Sequence, residues 1–167
     1  MALTEPPSYL VESLYEPIGA FVLKWSTLET NLDFWVAIAW RYAEGDTIER
    51  EIPRSLSRKI EYLRKCAEKL PKLKPFASPM LEHLQAVSEL SALRHLLMHG
   101  TMTFYDSEQG TVLLTRIVAR EGHKIVSKPV YESDIRLAAN SAISTSVAMA
   151  DLAVTMIEAI SGTDEVD

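Results

Sequence analysis

Leu93-Arg94-His95-Leu96-Leu97-Met98-His99-Gly100 closes an amphipathic run that begins near Pro79. Ser78 offers an N-cap and Pro79 a first helical residue. Met80, Leu84, Val87, Leu90, Ser91 or Leu93, and Leu97 then recur at helical spacing as an inward face. Gly100 is the residue type that most often stops a helix. A helix brings His95 and His99 to one face, because side chains four apart are surface neighbours. Arg94 stands five before His99, roughly 140° around the helix, a distance its long side chain can largely cover. Two imidazoles that titrate near neutral pH thus accompany a permanent cation on the rigid support that a catalytic constellation needs.

Three chemistries fit these residues. Arg and His in a last turn offset the negative end of the helix dipole, a purely structural role. Two histidines four apart can share a metal, but the run lacks the glutamate of His-Glu-x-x-His and the sequence offers no obvious third ligand. The third chemistry is metal-free acid/base work on a phosphate. Arg94 holds the anion by charge-assisted hydrogen bonds and His99 moves the proton.

The run Arg94-His95-Leu96-Leu97-Met98-His99 resembles the signature of the HEPN superfamily: an Arg, then Asn, Asp or His, then a His four to six residues after the Arg, late in a helix. Lys24-Trp25-Ser26-Thr27-Leu28-Glu29-Thr30-Asn31-Leu32 resembles part of the first long helix of many bacterial members. A hairpin after the motif is similar to an insert in some of them, and a final helix closes the bundle. The resemblance spans about Tyr9 to Ile160, with Arg94, His95 and His99 at the functional motif positions.

That resemblance implies a mainly α fold, a HEPN-like bundle of four to five helices with a β-hairpin between the motif helix and the last helix. It further implies a metal-independent endoribonuclease without cofactor, working as a homodimer whose two motifs face each other across a cleft. His99 is then the general base or acid at the ribose 2′-hydroxyl or the leaving 5′-oxygen, and His99 of the second copy takes the complementary role. Arg94 holds the scissile phosphate and His95 orients the pair. The expected product is a 2′,3′-cyclic phosphate, and DNA is spared for want of a 2′-hydroxyl. Members of the superfamily include ribonuclease toxins neutralised by a nucleotidyltransferase-type partner, defence proteins and inactive binding modules. The expectation is therefore a toxin or defence effector acting on RNA. The alternative is a noncatalytic dimeric helical module that binds a protein partner.

Composition sets bounds on both readings. With 167 residues, 47% hydrophobic and 24% charged, the chain fits one globular domain over 8–162. A formal net charge of −6 argues against a broad, sequence-independent nucleic-acid binder and suits a basic partner surface. Contact with RNA has to be local, built from Arg94, Arg116, Arg120, Lys124 or the basic run from Arg54 to Lys65. Apolar stretches are expected to stop short of a membrane span, and Met1 to Pro7 lacks the basic region and apolar core of a signal peptide, so the expected setting is cytoplasmic, with no membrane. Cys66, alone, forms no internal disulfide and reads as a small packing residue.

In chain order, residues 1–7 read as a flexible arm. Ser8 caps a short helix to Glu16, and Pro17 either kinks it or starts the next. Ile18 to Tyr42 is helical, with Phe21, Leu28, Leu32, Trp35, Val36 and Ala39 as the buried stripe. Glu29 on that helix is either solvated or faces the motif and pairs with Arg94 or a histidine. Gly45 fits a helix end needing positive φ. A second helix follows from Arg54 to Leu70, its cations interleaved with Glu61 and Glu68 as in a solvated, ion-paired face. Pro71 to Ala77 reads as a linker. Thr101–Tyr105 and Thr111–Arg120 form the hairpin, and Lys124–Tyr131 is a candidate third strand that Pro129 marks as an edge or an end. His83, Glu89 and His123 read as surface residues. The last helix, from Ser133 and Asp134 to Ile160, is apolar on more than one side, which implies a central bundle position or a dimer interface. Residues 163–167 read as a disordered acidic tail.

Overall fold

The computed structural model of the chain describes residues 8–106, 108–118, 122 and 124–162. The expected arm at 1–7, the expected tail at 163–167, Arg120 and His123 lie outside the described residues. The fold is 73% helical. The described residues form four α-helices, α1 (Ser8–Tyr42), α2 (Leu56–Lys69), α3 (Ala77–His99) and α4 (Glu132–Ser161). Three strands, β1 (Thr101–Asp106), β2 (Thr111–Val118) and β3 (Lys124–Tyr131), lie between α3 and α4. The chain gathers into two compact units. The sheet unit is the chain up to Trp25 with Leu90–Ala142, and the helical unit is Ser26–Glu89 with the chain from Ile143 onward.

In the sheet unit, of the two alternatives at Pro17, a kink or the start of a second helix, the second does not hold: α1 is continuous through the proline. Proline inside a helix removes a hydrogen bond and typically costs about 3 kcal/mol. Leu14, Pro17, Phe21 and Trp25 are all buried at helical spacing, so the packed stripe runs straight through the proline and holds the helix together. On α4 the buried positions are Ile135, Ala138, Ala139 and Ala142, three of them small enough to let a neighbouring backbone approach closely. Arg136 reaches Glu16 at 2.6 Å and Glu132 at 2.9 Å, and Lys24 donates to the Asn140 amide oxygen at 3.2 Å. These pairs ascend together in both helices, so α1 and α4 run parallel here.

The sheet has the order β1-β2-β3, all antiparallel, with Thr115 of β2 opposite both Thr101 and Ser127. A bulge at Thr103 interrupts the first ladder, and its hydroxyl bonds the Leu113 carbonyl at 3.2 Å. Thr103, Thr115 and Ser127 then chain their hydroxyls across one face at 3.1 and 2.8 Å. Val112, Leu114 and Val130 are buried on the other. The Asp106 carboxylate accepts the backbone N–H groups of Glu108 and Gln109 at 3.0 and 3.2 Å, which shapes the first turn. Glu132 N–H donates to the Gly110 carbonyl at 2.8 Å and ties the start of α4 to that turn. β3 is an edge strand, where Pro129 is tolerated.

The helical unit holds the larger apolar core: Leu28, Leu32, Trp35, Val36 and Ala39 of α1, Tyr62, Leu63, Cys66 and Ala67 of α2, Met80, Leu84 and Val87 of α3, and Met149, Met156 and Ile160 of α4. Asn31 donates to the Ser146 hydroxyl and carbonyl, both at 2.8 Å, and Trp35 Nε1 donates to the Met149 carbonyl at 2.9 Å. Ser55 caps α2 by accepting Arg58 N–H at 3.4 Å. The expected linker is instead a 3₁₀ helix, Pro71–Phe76. It leads into α3 at Ala77, so Ser78 lies inside the helix, its hydroxyl 3.4 Å from Glu82. Gly45 also differs from expectation. The residue with positive φ is Glu44 (φ 63°), while a β-carbon on Gly45 would lie 2.0 Å from the Tyr62 hydroxyl and 2.6 Å from the Ala39 carbonyl oxygen. Glycine is present for lack of room. The cations of α2 are largely paired: Arg58 with Glu49 at 2.8 Å, Lys65 with Glu61 at 2.7 Å and Glu49 at 3.4 Å, and Lys59 with Asp33.

By length and composition α4 is apolar enough to cross a membrane, with mean hydropathy 1.5 over its best window, against the expectation that no stretch would reach that far. In the helical unit Val147, Val154 and Ile157 of α4 stay exposed.

Candidate functional site

The motif occupies the last turns of α3, within the sheet unit. His95 and His99 are both exposed, with ring centroids 4.6 Å apart and planes inclined at 55°. Arg94 is half-buried beside them in sequence. The burial stripe read from Met80 to Leu97 holds through Val87; at this end of the helix the buried residue is Leu96, and Leu97 is half-buried. The reason lies in what packs here. Gly100 N–H donates to the Leu96 carbonyl at 2.8 Å, and a β-carbon on Gly100 would sit 2.5 Å from that same oxygen and 3.3 Å from Leu114 Cβ of β2. The chain leaves the helix and enters β1 at once, so the sheet of the same unit backs the motif.

Arg116, considered above only among several RNA contacts, is brought to the motif by that arrangement. It lies two residues beyond Leu114 on β2, hence on the same face of the sheet. The His95 imidazole is held below the usual histidine value, first by partial burial and then by the charges of Arg116, His99 and Arg94. Within this unit, among the described residues, no carboxylate lies within ion-pair range of Arg94, His95, His99 or Arg116. Among the described residues, the cluster is a patch of positive charge without acidic partners, on an acidic protein. It is able to hold an anion and, through its imidazoles, to pass a proton.

Glu29, on the helical-unit part of α1, is half-buried, and among the described residues of that unit it forms no ion pair. His83 lies edge-on to Trp35 at 6.1 Å in the helical unit, and Glu89 is exposed. No group of three potential metal ligands occurs among the described residues. A groove of about 210 Å³ in the sheet unit is lined by Glu16, Lys24, Arg136 and Asn140, and its cations are already engaged: Arg136 by Glu16 and Glu132, Lys24 by Asn140. At the motif face, by contrast, the described cations Arg94 and Arg116 have neither an ion-pair nor a hydrogen-bond partner among the described residues of the unit. Compared with protein-family models, with curated proteins and with solved structures, the chain finds no match in any of the three.

Proposed function

We propose that this chain is a metal-independent endoribonuclease of HEPN type, acting as a homodimer and serving as a toxin or defence effector. The observation that carries the reading is the last turn of α3, where His95 and His99 stand exposed with ring centroids 4.6 Å apart next to Arg94, and no described carboxylate of the unit lies within ion-pair range of them. Arg94 holds the scissile phosphate. His99 takes the proton of the ribose 2′-hydroxyl, the freed oxygen attacks phosphorus, and the bond from phosphorus to the 5′-oxygen breaks. His99 of a second copy gives its proton to that leaving oxygen. The products are a 2′,3′-cyclic phosphate and a 5′-hydroxyl. His95, with its depressed pKa, stays neutral at neutral pH and orients the pair. Glu29 is carried in this reading as a supporting residue. The exposed Val147, Val154 and Ile157 of α4 support an apolar contact with the second copy. A nucleotidyltransferase-type antitoxin is the protein partner this reading carries with it.

The test is to offer the wild-type, Arg94→Ala and His99→Ala proteins a single-stranded RNA and the all-deoxy version of the same sequence. The reading expects cleavage of the RNA alone, by the wild type alone. A second reading, a noncatalytic dimeric module binding a protein partner, is favoured by the net charge of −6. It expects the two substitutions to leave partner binding and folding unchanged and no RNA to be cut.

A further inference from the structure

The three cations on the described parts of β2 and β3 all fall on one side of the sheet. Side chains alternate along a strand, and residues directly opposed on neighbouring strands share a face. Leu114 is buried and lies against Gly100 at the end of the motif helix. Lys128 is its partner across the β2–β3 ladder, Arg116 follows two residues on with Val126 as partner, and Lys124 pairs with Val118 two residues further still. Leu114, Arg116 and Val118 therefore share the motif-facing side with Lys128, Val126 and Lys124. The opposite side carries Leu113, Thr115, Ile117, Ile125, Ser127 and Pro129 and no cation.

The positions have a regular rise. Lys128, the Arg116–Val126 pair and Lys124 stand at successive two-residue levels, each about 7 Å from the next at strand rise. Lys128 and Lys124 are exposed and Arg116 is half-buried. None has a carboxylate within ion-pair range among the described residues of the unit. A strand of positive charge thus leads from the end of α3 along the hairpin, in a protein that is acidic overall. A single phosphate held at Arg94 needs no such extension, whereas a chain of phosphates does.

We propose that the motif-facing side of the β2–β3 hairpin is a phosphate-tracking arm, in which Lys128, Arg116 and Lys124 hold successive phosphates of a single-stranded RNA whose scissile bond lies at the motif. The inference rests on the ribonuclease reading for its ligand and adds where the rest of that ligand runs. It makes the substrate a chain of several nucleotides. Arg116 binds and positions; it takes no part in proton transfer.

The test is the affinity of a labelled single-stranded RNA dodecamer for the His99→Ala protein, across a salt series, with further substitutions in that background. Lys124→Ala/Lys128→Ala removes exposed cations without disturbing the core, and Arg116→Ala removes the half-buried one. Each variant is expected to weaken binding roughly three- to tenfold per cation and to flatten the slope of log affinity against log salt by about 0.7 per lost phosphate contact. A third variant, Lys124→Ala/Ile125→Lys, keeps the net charge and moves the cation to the other face of β3. It is expected to bind as weakly as the single variant Lys124→Ala, measured beside it in the same background. Unchanged affinity in all these variants overturns the arm while the ribonuclease reading stands on the cleavage assay. Wild-type affinity in the charge-moved variant overturns the claim that one face is used. RNA bound through the hairpin by a wild-type protein that cuts nothing keeps the arm and overturns the ribonuclease. No RNA bound by any variant overturns both.

Discussion

Gly100 ends the motif helix so close to β2 that a β-carbon on it would lie 3.3 Å from Leu114 Cβ and 2.5 Å from the Leu96 carbonyl oxygen. This contact fixes the height at which His99 is presented and the point from which the hairpin departs. Gly100→Ala is expected to destabilise the fold by about 1–3 kcal/mol, the usual range for overpacking, read as a shift of the urea midpoint. It should also lower RNA cleavage by more than the unfolded fraction accounts for. A variant with wild-type midpoint and wild-type rate would show that the helix end tolerates displacement.

His95 gives a pH signature. Its pKa is depressed in the folded protein, first by partial burial and next by Arg116. The sign follows from linkage. Above about pH 6.5 the imidazole is neutral in both states and contributes nothing. As pH falls below that value the unfolded chain takes up the proton more readily than the folded one, so stability declines. An NMR titration of the imidazole is expected to give a midpoint below that of an unfolded control. Arg116→Ala should move it upward, and so should RNA bound across the site, whose phosphates offset the surrounding positive charge. A midpoint indifferent to Arg116 would remove β2 from the site.

In the helical unit, Gly45 is a matter of space. Gly45→Ala places a methyl group 2.0 Å from the Tyr62 hydroxyl, and a loss of a few kcal/mol is expected, at or above the ~1–3 kcal/mol typical of overpacking. Tyr62→Phe removes the nearest atom, so the double variant should be more stable than the sum of the two single effects. Strict additivity would place the clash with the Ala39 carbonyl, 2.6 Å away.

Trp35 and Met149 supply a second stability test. The indole N–H donates to the Met149 carbonyl at 2.9 Å in a buried setting. Trp35→Phe leaves that carbonyl without its donor and opens space, with an expected cost of about 1–3 kcal/mol from the polar group alone. Equilibrium denaturation reads it, and a change under about 0.5 kcal/mol, the size of an ordinary surface substitution, would mean the carbonyl finds another donor.

The sequence made much of this legible. The α1 stripe of Phe21, Leu28, Leu32, Trp35, Val36 and Ala39 is buried throughout, because helical periodicity reports burial directly. The strands after Gly100 were visible in their β-branched residues and turn clusters, and Pro129 marked the edge. What escaped depends on tertiary neighbours. Pro17 looked like a helix boundary because local chemistry makes it one, and only the buried stripe on both sides carries the helix through. Gly45 and Gly100 looked like conformational glycines and are steric ones, which takes knowledge of Tyr62 and Leu114. Arg94, His95 and His99 share one helix end, so sequence alone places them together. Arg116 joins them through strand register, which a sequence does not print. For Glu29 a helical position was legible and a partner was not.

The central claim is that the Arg94–His99 turn cuts RNA through its 2′-hydroxyl without a metal. The most direct measurement incubates the purified protein with end-labelled single-stranded RNA in excess chelator, beside the His99→Ala protein, with the oligomeric state of both samples and the mass of the products recorded. The account predicts that a wild-type dimer cuts the RNA to fragments ending in 2′,3′-cyclic phosphate, and that an equally dimeric His99→Ala protein does not. Intact RNA after incubation with a folded wild-type dimer, across several sequences, would contradict it.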